Sequence, residues 1–126
     1  MKFSSRHIHG AGRGKGLGFP TINLEIPDSF ALDTGIYAVW VTIGKSILPG
    51  AMHFGPVPSF GDPSLHLEIY ILDCAFKGAV DLIDDLIGIA VVKRIRSIKK
   101  FDNSRSLKDK ISDDVVRVRE ILSLVE

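Results

Sequence analysis

The chain has 126 residues, of which 45% are hydrophobic and 25% are charged, and its formal net charge is +1. This length suits one domain with its own hydrophobic core, and we expect residues 1–126 to form a single domain. The balanced charge argues against bulk binding of nucleic acid or of an anionic membrane. The start of the chain lacks the apolar stretch of a signal peptide, no apolar run is long enough to span a bilayer, and the single cysteine, Cys74, fits a reducing compartment. We therefore expect a soluble, monomeric protein of the cytoplasm.

The first part of the chain combines one short predicted strand with a long connection. Residues 2–9 can form a strand, and glycine then occupies every second position from 10 to 18. No helical period follows before residue 34, and a connection of this length within a compact domain is usually functional or disordered. The apolar residues Phe19, Ile22 and Leu24 favour order, because leaving them in water is costly.

The middle of the chain predicts a set of antiparallel strands. These predicted strands cover residues 35–43, 46–54, 64–74 and 88–98. A turn at Gly44 and Lys45 joins the first two as a hairpin, in which Pro49 and Gly50 indicate an edge, a bulge or a short strand. The segment 76–87 is compatible with a loop or with a short helical turn.

Side-chain alternation predicts the two faces of the later strands. In residues 64–74, Leu67 and Ile69 point one way, whereas Glu68 points the other way with His66 and Tyr70. In residues 88–98, we expect one face to carry Ile89, Val91 and Ile95 and the opposite face to carry Arg94 and Arg96.

The C-terminal segment changes to the period of an amphipathic helix. Its apolar stripe consists of Leu107, Ile111, Val115, Val118, Ile121, Leu122 and Val125. Ser106 and Asp109 predict a capping pair at the helix start, and Asp113 and Asp114 are expected to be a solvated acidic pair. Several strands followed by one helix predict a mainly β protein, an antiparallel sheet closed into a barrel with the helix packed against it.

The glycine-rich segment matches neither of the familiar phosphate-binding motifs. Gly14 and Lys15 are followed by Gly16 rather than by the serine or threonine of a Walker A loop, and no glycine triplet has the dinucleotide-binding spacing. Closely spaced glycines nevertheless let backbone N–H groups approach an anion, and Arg13 and Lys15 add cationic donors. The composition therefore leaves a phosphate-binding loop and an ordinary solvated loop as equal alternatives.

Other polar residues are weaker candidates for chemistry. His7 and His9 share a strand face at a spacing that could hold a metal ion, but no third ligand stands nearby in sequence, which favours ordinary histidines. Cys74 has no basic partner beside it and is expected to be a small packing residue. Glu68 could accept a proton from a substrate hydroxyl, although strand alternation equally predicts a solvent-facing glutamate.

Residues 12–24, GRGKGLGFPTINL, resemble the signature of the riboflavin kinases, the ATP-dependent flavokinases. The resemblance continues in order along the chain through residues 34–38 (TGIYA), 58–61 (PSFG), 68–73 (EIYILD), 85–88 (DLIG) and 96–102. It implies a Greek-key β-barrel with a C-terminal helix. The implied reaction is transfer of the γ-phosphoryl group of ATP to the 5′-hydroxyl of riboflavin, which gives FMN.

The resemblance also implies site residues by position. Glu68 matches the catalytic base, and Thr21 and Asn23 match the ligands of Mg²⁺, a hard ion that prefers oxygen donors. The ATP phosphates would be bound by Gly10, Gly12, Arg13, Gly14, Lys15 and Thr21. The flavin would lie on the side of Arg96, Lys100 and Phe101.

Some positions depart from the family pattern. His53 replaces an asparagine, Val57 a basic residue, Tyr70 a histidine, and Ile98 a glutamate of the flavin-side segment. These departures motivate an alternative, a flavin- or nucleotide-binding relative that has lost turnover. A nucleic-acid-binding barrel is disfavoured by the balanced charge and the few aromatic residues. Many bacterial relatives carry an additional adenylyltransferase domain, so we expect kinase activity without FAD synthesis unless the chain is a fragment.

Overall fold

A computed structural model describes residues 1–8, 21–57, 62–72 and 86–124. Within these ranges, antiparallel strands form a closed barrel that is followed by one helix. The elements are β1 (Lys2–Ile8), β2 (Thr21–Leu24), β3 (Gly35–Ile43), β4 (Ser46–Val57), β5 (Asp62–Ile71), β6 (Leu86–Arg96) and α1 (Ser104–Ser123). Around the barrel the strand order is β1-β2-β5-β4-β3-β6, and β6 pairs with β1 to close it. The predicted closed antiparallel barrel with a C-terminal helix is confirmed.

The interior of the barrel is filled by inward-pointing residues of β2 to β6, with Phe3 of β1 packed against them. They are Ile22, Leu24, Tyr37, Val39, Val41, Met52, Phe54, Leu67, Ile69, Ile71, Ile87 and Ile89. At one end, Phe30 packs edge-to-face between Phe3 and Phe54, with ring centroids 4.9 Å apart in both pairs. Alternation therefore places the intervening residues on the outer wall, where the polar side chains discussed below lie.

Strand β2 is the element that the sequence pattern does not reveal. Thr21–Leu24 falls within the stretch predicted as a long connection, yet it pairs with both β1 and β5. Four residues are too few to display a period, and Ile22 and Leu24 alone mark its inward face. Strand β4 is also longer than predicted: the expected range was 46–54, and the strand runs from Ser46 to Val57.

Pro49 belongs to a strand that pairs on both sides, but it lies at the end of one pairing: it is opposite Trp40 of β3 and one residue beyond Gly50, where the pairing of β4 with β5 ends. The Leu72 N–H donates to the Pro49 carbonyl oxygen at 3.0 Å. In an antiparallel pair the partner N–H would return this bond, but proline has none. Instead, Arg119 of α1 donates from Nη2 to the Leu72 carbonyl oxygen at 2.6 Å. The guanidinium thus supplies the hydrogen bond that Pro49 cannot make.

Two irregularities in the pairing of β6 with β3 break the expected alternation. The register shifts leave Val92 and Ile95 without a paired residue on β3, and both pack on the outer wall against the helix. Ile95 therefore does not share a face with Ile89 and Val91, contrary to the prediction, because a bulge reverses the facing of the residues beyond it.

The second irregularity, at Ile95, separates the two arginines of β6. Arg94 lies opposite Tyr37 and Arg96 opposite Ile36, so the arginines are on different faces rather than on one. Arg94 donates to the Thr34 carbonyl oxygen at 2.6 Å, whereas Arg96 faces the helix.

Helix α1 packs on the outer wall over small residues. Val118 and Leu122 contact a cluster that includes Ala38, Ala51 and Leu72. The N-cap is Asn103, whose Oδ1 accepts from the Ser106 N–H at 2.8 Å, so the predicted Ser106–Asp109 capping pair is wrong. Asparagine is among the strongest N-cap residues, and it competes directly with the serine downstream. Across the described ranges, no helix has the length and the apolar character needed to cross a membrane.

Candidate functional site

A row of three polar residues crosses the outer wall of the barrel. Asn23 of β2 lies opposite Glu68 of β5, and Glu68 lies opposite His53 of β4. The chain neighbours of each residue point into the core, so all three side chains face outward. Directly opposed residues have Cβ atoms about 4.5–5.5 Å apart, so register alone brings the three side chains together. Asn23, Glu68 and His53 are called the polar row below.

Glu68 is buried although it is on the outer wall. Its side chain keeps 4% exposure. The solvent-facing glutamate that alternation also allowed is therefore wrong. A carboxylate removed from water needs polar partners, and such groups are concentrated at functional sites.

His53 is held in one protonation state by its surroundings. Its Nε2 lies 2.9 Å from the Pro56 carbonyl oxygen, which can only accept a hydrogen bond, so Nε2 carries the proton. Burial lowers the pKa of His53, and the nearby charge of Arg96 lowers it further. The imidazole is therefore neutral near pH 7, and its hydrogen bond to Pro56 lies within β4.

Thr21 and Asn23 present oxygen atoms on the same face of β2. Both are half-buried, and their intervening residue, Ile22, lies in the core. Thr21 lies opposite Tyr70, and Tyr70 packs in the helix-facing cluster. A hydroxyl and an amide oxygen beside a carboxylate fit Mg²⁺, which takes few protein ligands and uses phosphate and water for the rest. Among the described residues, no group of three or more His, Cys, Asp and Glu side chains is arranged to hold a metal.

On the β6 side of the same wall, Arg96 lies opposite Ile36, which in turn lies opposite His53. The Arg96 Cζ is 5.9 Å from the centroid of the Phe101 ring. The structure thus brings together two of the three residues expected on the flavin side. Lys100 is exposed, and Lys99 places its Nζ 5.7 Å from the Phe101 centroid.

Asp114 is the residue that sequence reasoning misjudged. It is 5% exposed and accepts a bidentate pair of hydrogen bonds from Arg96, whereas Asp113 is exposed. Only one member of the expected solvated pair is therefore solvated. A signal was present, since position 114 falls on the buried stripe between Ile111 and Val118.

Several predicted residues lie outside the described ranges. They are Gly10, Gly12, Arg13, Gly14 and Lys15 of the expected phosphate loop, together with His9, Cys74 and most of the segment 76–87. His7 is buried in β1, opposite the core residue Leu24, as expected of an ordinary barrel histidine.

A groove of about 820 Å³ lies elsewhere on the wall, over β1, β6 and β3. Its described lining is mainly apolar and includes Trp40, Ile47 and Ala90, with Lys2 at one side. Its described lining contains no member of the polar row and no carboxylate. A carboxylate that could accept a proton is found in the polar row, which is therefore the stronger candidate for chemistry.

The fold and the polar row define a class of protein, closed six-stranded barrels with a polar site on the outer wall beside a C-terminal helix. Residues 1–122 match the sequence profile of the flavokinase family, described as riboflavin kinase. The chain belongs to the riboflavin kinase family, as the resemblance of its motifs predicts.

Relatives of known name support this membership. The bifunctional riboflavin kinase/FMN adenylyltransferase of Escherichia coli K12 is 32% identical over 124 residues, which is 98% of this chain and 38% of that protein. The Bacillus subtilis protein of the same name is 32% identical over 113 residues, 85% of this chain and 34% of its own length. This chain thus spans less than half the length of these relatives.

A solved structure shares the fold. It is described as a macrolide-efflux protein from Streptococcus pneumoniae and superposes with a TM-score of 0.78 at 26% sequence identity. The superposition covers 94% of this chain and 38% of that one.

Proposed function

We propose that this protein transfers the γ-phosphoryl group of ATP to the 5′-hydroxyl of riboflavin, giving FMN and ADP. The observation that carries the proposal is the pairing of a buried carboxylate, Glu68, with Asn23 in one row, with Thr21 two residues along the same strand face. Family membership supports the choice of substrates, because the matching profile is that of riboflavin kinases.

Glu68 is proposed to act as the general base. As the 5′-oxygen attacks the γ-phosphorus, its proton passes to the Glu68 carboxylate, and the bond between the γ-phosphorus and the bridging oxygen of ADP breaks. Phosphoryl transfer depends mainly on positioning and charge neutralisation, so a carboxylate fixed in a rigid barrel wall suits this role. The backbone ladder on both sides of Glu68 restricts its movement.

Thr21 and Asn23 are proposed to hold Mg²⁺ against the ATP phosphates. The bound ion would neutralise charge that develops on the transferred group. The ATP phosphates are proposed to be bound by residues of the glycine-rich segment, namely Gly10, Gly12, Arg13, Gly14 and Lys15. Their backbone N–H groups would donate hydrogen bonds to the phosphate oxygens, and the side chains of Arg13 and Lys15 would add positive charge.

Riboflavin is proposed to lie on the side of Arg96, Lys100 and Phe101. The Phe101 ring offers a face for stacking, and the Arg96 guanidinium stands 5.9 Å from that ring. The polar row runs from His53, on the side of Arg96, through Glu68 to Asn23 of β2, so a flavin held near Arg96 would direct its ribityl chain toward Glu68.

The proposal is tested by incubating the protein with Mg²⁺, ATP and riboflavin and separating the flavins by chromatography. Wild-type protein is expected to form FMN. Glu68→Gln is expected to lower kcat on the order of 100-fold or more with little change in riboflavin affinity, because it removes only the proton acceptor. Glu25→Gln, which alters an exposed glutamate just beyond β2, serves as the matched control and should retain activity.

Two results would contradict this function. Folded protein that binds riboflavin without forming FMN would favour the non-catalytic relative suggested by the departures at His53, Tyr70 and Ile98. Full activity of Glu68→Gln would remove the carboxylate from the reaction. The proposed enzyme requires two small molecules and no nucleic acid or membrane partner. We infer that residues 1–126 form one domain and that it acts as a monomer in the cytoplasm.

A further inference from the structure

The ion pair between Arg96 and Asp114 joins the last strand of the barrel to the middle of the helix. Arg96 Nε donates to Asp114 Oδ1 at 2.9 Å and to Oδ2 at 3.1 Å, and Nη2 donates to Oδ2 at 2.7 Å. The side chains are 17% and 6% exposed. This two-pronged geometry fixes the plane of the guanidinium as well as its position.

Arg96 also contacts residues outside the helix. Nη1 donates to the Ser97 carbonyl oxygen at 3.0 Å. Within the described residues, Nε, Nη1 and Nη2 of the guanidinium each donate at least one hydrogen bond. The Phe101 ring lies 5.9 Å from the same guanidinium. The aromatic ring and a guanidinium of fixed orientation thus stand side by side.

Stability alone does not require this pair. Asp114 lies on the apolar stripe of α1 between Ile111 and Val118, where an apolar residue would pack without a desolvation cost. Replacing a buried ion pair by well-packed apolar residues is often neutral or stabilising. The pair is better explained by what it places than by what it adds to the free energy of unfolding.

We propose that Asp114 is a positioning residue for riboflavin. It holds the Arg96 guanidinium beside Phe101, in an orientation that lets the guanidinium donate hydrogen bonds to the carbonyl oxygens of the flavin. This inference rests on the proposed function, since it assigns the orientation of the flavin within that site. Asp114 acts through Arg96 and does not contact the reacting atoms.

The test compares Asp114→Asn with Asp113→Asn, which removes the same charge from an exposed neighbour. We expect Asp114→Asn to raise the riboflavin KM about tenfold or more, as for the loss of one charged hydrogen bond. The ATP KM and kcat at saturating riboflavin should change less than about twofold, within the ordinary scatter of surface changes. Asp113→Asn should leave all three constants unchanged, and Asp114→Glu should recover part of the riboflavin affinity.

A riboflavin fluorescence titration without ATP provides a readout that is independent of turnover. Weaker riboflavin binding by Asp114→Asn supports the inference even if wild-type protein forms no FMN, an outcome that would contradict only the proposed function. A lower melting temperature with unchanged riboflavin KM and binding would overturn the inference and leave a structural role. If Asp114→Asn does not fold, Arg96→Lys is tested in its place, because lysine keeps the positive charge but lacks the planar, two-donor geometry of the guanidinium.

Discussion

Single residues on the outer wall carry most of the functional argument, because burial there is unusual for charged groups. Glu68 and Asp114 are 4% and 5% exposed although neither points into the barrel core. His53 stands beside Glu68 in the polar row and is kept neutral by burial and by the charge of Arg96. These residues therefore respond to substitution differently from a surface carboxylate or imidazole, because their partners are buried with them.

His53 makes the stability of the protein depend on pH. Above the ordinary histidine pKa of 6.5 the side chain is neutral in both the folded and the unfolded chain. As pH falls below this value, the unfolded chain binds a proton that folded His53 resists, because burial lowers the pKa of His53. The free energy of unfolding is thus expected to decrease as pH falls from 6.5 toward the lower pKa of the folded state.

Urea unfolding at pH values on either side of 6.5 tests this expectation. His53→Asn should lose less stability on acidification than wild type. His66→Asn should retain most of the pH dependence, since burial is a larger cause of the lowered pKa than His66. Equal pH dependence in wild type and His53→Asn would show that another group is responsible.

Among the structural elements, β4 and α1 are linked through Leu72, whose N–H and carbonyl oxygen bond to one of them each. Pro49 accepts from the Leu72 N–H but cannot return the bond, and Arg119 of α1 donates to the Leu72 carbonyl oxygen instead. Leu72 is 4% exposed, so without the arginine this carbonyl would be buried with one partner fewer. Helix docking and the tolerance of proline in the wall are therefore linked.

A double-mutant cycle tests this link. Arg119→Met is expected to lower the free energy of unfolding by about 1–3 kcal/mol, because it leaves a buried acceptor unsatisfied. In the background of Pro49→Ala the same change should cost less, since the alanine N–H supplies the missing donor. Urea unfolding of the four proteins gives the coupling free energy, with Arg117→Met as an exposed control. If Arg119→Met lowered the free energy of unfolding equally in both backgrounds, Arg119 would not be replacing the hydrogen bond that Pro49 cannot donate.

The sequence predicts those elements that are long enough to show a strand or helix period. The strands at Gly35–Ile43 and Leu86–Arg96 and the helix were each recognisable from period and composition. Strand β2 was not recognisable, because its four residues show no period and its pairing with β5 joins residues far apart in the chain. The bulges of β6 were also unpredictable, since they belong to its pairing with β3, whose residues are distant in the chain.

At the scale of the molecule, barrel and helix share one apolar interface. Trp40, the single tryptophan of the chain, packs against the cluster that contains Val118 and Leu122. Its fluorescence therefore reports on the interface, whereas far-UV circular dichroism reports on the helix and strands together. Because the interface includes residues of β3, β4 and α1, the two parts are expected to unfold as one unit.

Val118→Ala tests this cooperativity. The side chain is fully buried, and its truncation is expected to cost on the order of 2 kcal/mol. Tryptophan fluorescence and circular dichroism should shift together along the urea axis. Val116→Ala, an exposed valine on the same helix, is the matched control. A fluorescence transition that precedes the dichroism transition would show that the helix detaches first.

The candidate site was only partly predictable from the sequence. Thr21, Asn23 and Glu68 were assigned by resemblance, and their roles stay predictions that the kinetic experiments above test. Their assembly into one row follows from the register of β2 against β5, which no local pattern specifies. Asp114 was misjudged because its partner, Arg96, is distant in sequence and meets it only in the folded chain.

Closure of the barrel also has a consequence for biosynthesis. Strand β1 pairs on one side with β2 and on the other with β6, whose paired residues, from Arg6↔Leu86 to Lys2↔Ala90, lie 80 to 88 positions later in the chain. Long-range pairings of this kind form late and slow folding, because a large loop must be ordered first. We therefore expect β1 to lack its partner on one side during synthesis, and the barrel to close only after Leu86–Arg96 has emerged from the ribosome.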